Sequence, residues 1–294
     1  MMKRFLSLAL FAASFGTLTC QPARAWWPEG HSIIAAGAVK ALPDEVPVWF
    51  RAGIGQIAHD AQDPDVQKDR SLAIMTEREY PQHFFDWELI GMEALPPTRK
   101  EFYADCAKRG VSPFDVGELP YSIAEWTQRL TMAFAESRQY PGNAYVQNKA
   151  LIYAGILSHY SGDATMPLHV TNDHDGRAKS DGSSPKTGIH SRVDSLIEKL
   201  NLTPDQLADK QTVTPLSALW PGIEAQMRET YSHINQTYAM ETGLPPEKGA
   251  YTPSPMIEAF ALERGRTASR FTAQLFLTAW RDSANVKLPS WLKR

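Results

Sequence analysis

The stretch HYSGDATMPLH, from His159 to His169, places two histidines and an aspartate directly after an apolar run, ALIYAGIL. His159 and Asp163 are four apart, so on a helix they project from one face. A second pair, His190 and Asp194 in GIHSRVDS, repeats that spacing. An imidazole and a carboxylate at i and i+4 can hold one metal ion, as paired histidines do on zinc-protease helices. One such pair often arises by chance on a solvated face. Two, each at the end or start of an apolar helix, point to metal. IAHDAQDPD adds Asp60 at the end of an expected helix, and YPQHFFDWE adds His83 within an aromatic run. Read singly, Asp60 is a helix-end carboxylate and His83 a core histidine.

The start of the chain supplies a further ligand type. Lys3 and Arg4 precede an apolar run from Phe5 to about Leu18, and Ala23-Arg24-Ala25 then gives the small-x-small pattern cut by signal peptidase. Residues 1–25 are expected to be a signal peptide, leaving one domain, 26–294, secreted or periplasmic. Cys20 raises lipid modification as a rival, but Thr17 stands where such a site favours leucine. Cleavage between Ala25 and Trp26 frees an α-amine five residues before His31, in WWPEGH. Such an amine has a pKa of about 7.7–8.0, so a metal can displace its proton near neutral pH. The plainer reading is an apolar residue that packs the terminus.

The elements that must position these residues read as helical. Apolar residues recur at helical spacing in 31–42, 46–60, 121–138, 143–163, 188–200, 215–238 and 256–281. Asn143 is a plausible helix cap. Segments 61–82 and 170–187 are polar and rich in Asp, Pro, Gly and Ser, so they read as loops. There is no strand-like alternation, repeat or low-complexity tract. One all-α, multi-helix domain is the simplest architecture. After Leu18 no stretch reaches the ~20 apolar residues of a membrane span.

Composition narrows the partners. Losing Lys3, Arg4 and Arg24 takes the formal charge from −3 to −6. No broad basic face is implied, which argues against gripping duplex DNA through its phosphates. Only Cys106 remains in the mature chain, so no intramolecular disulfide can form. No stable protein partner is implied.

Together these pieces resemble the superfamily of bacterial zinc-dependent phospholipases C and fungal single-strand-specific nucleases. There the N-terminal Trp of the mature enzyme binds zinc through its amine and carbonyl. The resemblance covers residues 26 to about 194 and implies nine ligands in order: Trp26, His31, Asp60, His83, His159, Asp163, His169, His190 and Asp194. It implies three zinc ions. Asp60, His83, His159 and Asp163 would hold the first; His169, His190 and Asp194 the second; Trp26, His31 and Asp163 the third, with Asp163 bridging. A zinc-bound hydroxide would attack the phosphorus, with Asp60 as the catalytic residue that orients it or takes its proton. His59, His174 and His233 fall outside the set and read as ordinary histidines.

The substrate is less marked. His-Tyr at 159–160, Asn172 and Pro64 match the phospholipases, whereas Thr165 is nuclease-like and Val170 fits neither well. Glu29 falls where the phospholipase has an acid facing choline, and Tyr80 where it has an aromatic, the pair that suits a quaternary ammonium. The tyrosine that follows the equivalent of Asp60 there is Ala61 here. The nucleases carry a basic residue near that position, and none is evident beside Asp60. Phe84 could serve as a shelf for a base, though Phe84, Phe85 and Trp87 also read as core. The expected activity is phospholipase C-like phosphodiester hydrolysis. The alternative is a single-strand-specific nuclease or 3′-nucleotidase, and a non-catalytic zinc-binding protein is the remaining class.

Overall fold

The computed structural model describes residues 26–246 and 248–294. The expected signal segment, 1–25, lies outside the described residues. Among these residues the named elements are all helices, apart from an isolated bridge between His174 and Gly176. None of the helices is long and apolar enough to cross a membrane.

A central helix, Ala144–Asp163, organises the fold. Asn143 caps it as expected, its side chain accepting from the N–H groups of Tyr145 and Val146. The helix packs against Leu119–Gln139, the first helix Pro28–Lys40, Ile54–Asp60 and the closing helix Pro255–Asp282. Its contact with Ile54–Asp60 is close because residue 155 is glycine. A Cβ there would lie 2.4 Å from the Asp60 Cβ.

Two apolar clusters flank the centre. One gathers Phe50, Phe134 and Phe276 beneath the helix pair 119–139 and 144–163. The other joins Trp26, Ile34, Met166, Leu168, Ile189, Val193, Ile197 and Ala268. It closes the end of the molecule where the first helix, the segment after the central helix and the closing helix meet.

The long helices stand where periodicity puts them. The intermediate segments differ. The expected helix 46–60 is broken at Gly53 into Val48–Ala52 and Ile54–Asp60. The expected loop 61–82 contains helices Asp63–Val66 and Ala73–Glu79, followed by a tight turn, Tyr80–His83. Arg99–Arg109, also unforeseen, has its own cap in Thr98, which accepts from the Glu101 N–H. These pieces lack a long apolar stripe, so tertiary contacts rather than periodicity decide them.

Candidate metal centre

The central helix ends at the site. Its last turns are buried from Leu157 to Asp163, and His159 and Asp163 emerge on one face. His83 Nδ1 lies 3.0 Å from His159 Nε2 and 3.1 Å from Asp163 Oδ2. His159 Nε2 is 3.5 Å from that same oxygen. The other Asp163 oxygen, Oδ1, faces His31 Nε2 at 3.4 Å. The His31 and His159 rings stack with centroids 3.8 Å apart. Asp163 therefore presents Oδ1 to His31 and Oδ2 to His83 and His159. Trp26 is fully buried beside them, and its indole N–H donates to Gly162 O.

Across the cleft, His169 Nε2 and His190 Nε2 are 3.0 Å apart, and Asp194 Oδ2 is 3.2 Å from the latter. Pro167 starts the turn that carries His169 away from the central helix. His190 and Asp194 share a face of the short helix Ile189–Asp194.

The hydrogen bonds behind these rings fix their tautomers. The Nδ1–H of His159 donates to Ala61 O, that of His169 to His83 O, and that of His190 to His174 O. Each Nε2 lone pair then points into the cluster. Lone pairs converging at 3.0 Å repel one another unless a cation lies between them. Nitrogens on a tetrahedral zinc, at 2.0–2.1 Å each, sit roughly 3.3 Å apart. Neither nitrogen of His31 has a hydrogen-bond partner, nor does Asp163 Oδ1 or either oxygen of Asp194. Buried polar atoms left so cost about 1–3 kcal/mol each. The residues fit a cluster of metal ions.

The electrostatics agree. Burial holds His31, His83, His159 and His169 well below the usual imidazole range, so they are neutral, the form that ligates. Burial pushes Asp163 and Asp194 well above the carboxylate range, with neighbouring carboxylates adding to the effect. Bound cations would reverse that.

One expected ligand stands apart from the others. Asp60 is buried at the end of its helix against Gly155, a turn below His159, and both its oxygens accept from Gln56 Nε2 at 2.8 and 2.7 Å. It is not among the residues that converge. Asp65 takes its place, grouped with His83 and His159. The short helix Asp63–Val66 turns the chain back toward the centre and brings Asp65 Oδ1 to 3.8 Å from His159 Nε2. Lys68, itself buried, lies 2.5 Å from that same oxygen. Burial raises Asp65, but Lys68, His83 and His31 outweigh it and hold its carboxyl below the usual range. Periodicity could not choose among four aspartates between 60 and 69, although the one-turn spacing of Asp65 and Lys68 was visible.

A cavity of about 290 Å³ opens onto the centre. Tyr80, Phe84 and Asn172 line it, as expected. Glu29 does not: it is exposed on the first helix, with its N–H bonded to Glu198. Phe85 and Trp87 are fully buried core residues. The sequence reading missed Lys68, Asp86, Phe114, Asp115 and His174 on the lining. Asp86 is 8% exposed. Burial, then Glu88, Asp115 and Asp173, push its carboxyl well above the usual range. His174 is thus not an ordinary surface histidine, since it lines the cavity and its carbonyl orients His190. His59 is exposed, and His233 pairs with Glu229 away from the centre.

No protein-family model matches the sequence, and no curated protein does. Solved structures do. Alpha toxin from Clostridium absonum superposes with a TM-score of 0.53 at 14% identity, over 90% of this chain and 68% of the toxin. Alpha-toxin of a Clostridium perfringens avian strain gives 0.48 at 16% identity, over 90% of this chain and 66% of the toxin. The chain thus spans about two thirds of the toxins' length. The first likeness agrees with the resemblance carried by the motifs: this all-helical chain shares the fold of the part of the alpha toxin that it covers.

Proposed function

We propose that this protein is a zinc-dependent phosphodiester hydrolase, phospholipase C-like in its substrate. The observation that carries the reading is the convergence of buried, neutral imidazoles and partnerless carboxylate oxygens at the floor of a cavity. The likeness of fold to alpha-toxin supports it. His83, His159, Asp163 and Asp65 would hold one ion, His169, His190 and Asp194 a second, and Trp26, His31 and Asp163 a third. Zinc at such sites makes a nucleophile from water at neutral pH and neutralises charge on phosphoryl and leaving oxygens.

The chain's own groups supply the rest. Asp65, not Asp60, takes the role of orienting the attacking water or accepting its proton. Lys68 sets an ammonium beside it, placed to meet a non-bridging phosphoryl oxygen. Tyr80, Phe84, Phe114 and Asn172 hold the body of the substrate, and Asp86 with Asp115 favours a cationic head group. The buried floor keeps bulk water from the reacting phosphorus.

A second reading has an observation of its own. Lys68, one turn after Asp65, is the basic residue that was missing beside Asp60 in the comparison with the nucleases. Phe84 and Asp86 together would suit a planar base with N–H donors. A side-by-side assay of the zinc-loaded protein beginning at Trp26, on phosphatidylcholine vesicles and on single-stranded DNA, separates the two. Phosphocholine release with intact DNA is expected. Nucleotide release with intact lipid would overturn the first reading in favour of the second. No turnover of either substrate, nor of a chromogenic diester, would leave only a zinc-binding protein.

A further inference from the structure

Three imidazoles of the centre are oriented by main-chain carbonyls: His159 by Ala61, His169 by His83 and His190 by His174. His83 differs. Its Nδ1 faces Asp163 and His159, and its Nε2, buried and without a hydrogen bond among the described residues, lies 3.3 Å from Glu79 Oε1, within ion-pair distance. Glu79 is buried, and the Tyr160 hydroxyl donates to that same oxygen. Gln82 Nε2 approaches the other oxygen at 3.3 Å. Tyr160 directly follows His159. The chain His83–Glu79–Tyr160 therefore closes back on the helix that carries two of the converging side chains.

We infer that Glu79 is a positioning residue, the carboxyl outer partner that draws the proton of His83 to Nε2 and leaves its Nδ1 lone pair on the centre. This rests on the zinc reading above. A carboxylate behind a ligating imidazole fixes its tautomer and raises its basicity, and losing such a partner weakens metal binding roughly 10–100-fold. Because His159, His169 and His190 lean on the main chain and His31 does not touch Glu79, the effect is confined to the ion held by Asp65, His83 and His159. Tyr160 supports Glu79 in turn, at one further remove.

Zinc titration of the mature protein against a chromophoric chelator tests this. Glu79→Gln should weaken one of three ions about 10–100-fold and leave the others at wild-type affinity. Tyr160→Phe should weaken the same ion less. Nitrogen-15 NMR of the metal-free protein should show His83 losing its fixed Nε2–H form in Glu79→Gln, while His159, His169 and His190 keep theirs. Unchanged binding of all three ions, or equal weakening of all three, would overturn the inference. If Glu79→Gln fails to fold, Tyr160→Phe with the same two readouts decides it. Wild-type protein that takes up no zinc would instead refute the metal centre itself, a different result from wild-type uptake that Glu79→Gln leaves untouched.

Discussion

The floor and the outer wall of the cleft are built differently. The floor rests on the 20-residue central helix, the 13-residue first helix and the short helix Ile189–Asp194. Its polar side chains are buried and point at one another with no counter-charge among the described residues beyond Lys68. The wall comes from short pieces, Ala73–Glu79, Tyr80–His83, Trp87–Ile90 and Pro113–Val116, and carries half-exposed aromatics such as Tyr80 and Phe114, each 46% exposed. Rigid helices fix ligand geometry to fractions of an ångström, as metal chemistry demands. Apart from the turns that carry Asp65, His83 and His169, the short pieces can vary without dismantling that centre. The floor therefore speaks to reaction type, and the wall to substrate.

The sharpest way to break this division is at Asp163, whose Oδ1 faces His31 and whose Oδ2 faces His83 and His159. Asp163→Asn should remove two ions and lower phosphodiesterase activity by more than about 100-fold, since even outer partners cost 10–100-fold. Zinc content and turnover measured on one sample would check it. Retention of three ions would contradict the bridging role. Next comes the exchange of aspartates: Asp65→Asn should lose one ion and most activity. Asp60→Asn should keep three ions and cost only about 1 kcal/mol of stability, through its Gln56 contact.

Acid separates the regions as well. His31, His83, His159 and His169 sit below their usual values because of burial. The unfolded chain takes up protons below about pH 6.5 that the folded chain resists, so metal-free stability falls as pH drops through that range. Asp163 and Asp194 shift the other way. Their stabilisation of the metal-free fold is full below about pH 3.8 and is lost as pH rises through their raised folded values. Charging them therefore costs the metal-free fold, and a bound cation would offset that cost. Chelation should therefore lower the melting temperature most near pH 7, with zinc released below about pH 6.5. A chelator that leaves the neutral-pH melt unchanged would count against a loaded centre.

On the wall the effects should be smaller and selective. Phe84→Ala and Asp86→Asn should keep three ions and change KM or head-group preference by roughly 10-fold, about 1.4 kcal/mol. Loss of zinc in either would erase the distinction drawn here. An indirect probe of the wall is Gly117→Ala. Gly117 has φ of +91°, and a Cβ there would lie 2.1 Å from Phe84 O. The substitution should shift Phe84, costing about 1–3 kcal/mol in a thermal melt with zinc content unchanged.

The same division explains what the sequence revealed. The i, i+4 pairs at 159/163 and 190/194 lie on helices whose apolar faces set their orientation, so pattern alone brought them together. Trp26, His31, His83 and His169 followed from the family resemblance; the three histidines converge, and Trp26 is buried beside them. Asp60 stands apart from the convergence because its place depended on where a helix stops. The chain breaks at Gly53 and turns again at Asp63, neither marked by a long periodic stripe, and Asp65 is the aspartate that reaches His83 and His159. Asp86 was masked by its neighbours, for in HFFDW the aromatics at 85 and 87 are core while 84 and 86 face the cavity. Glu29 was placed by counting from the N-terminus, and a side chain on the first turn of an exposed helix face need not reach the cleft.

The most direct test is the zinc content of the protein that begins at Trp26, purified with zinc and passed through a desalting column, measured by elemental analysis against protein mass. Close to three ions per chain, falling by one in Asp65→Asn and staying at three in Asp60→Asn, is the expected result. One ion or none in the wild type, or a loss in Asp60→Asn with none in Asp65→Asn, would contradict the centre described here.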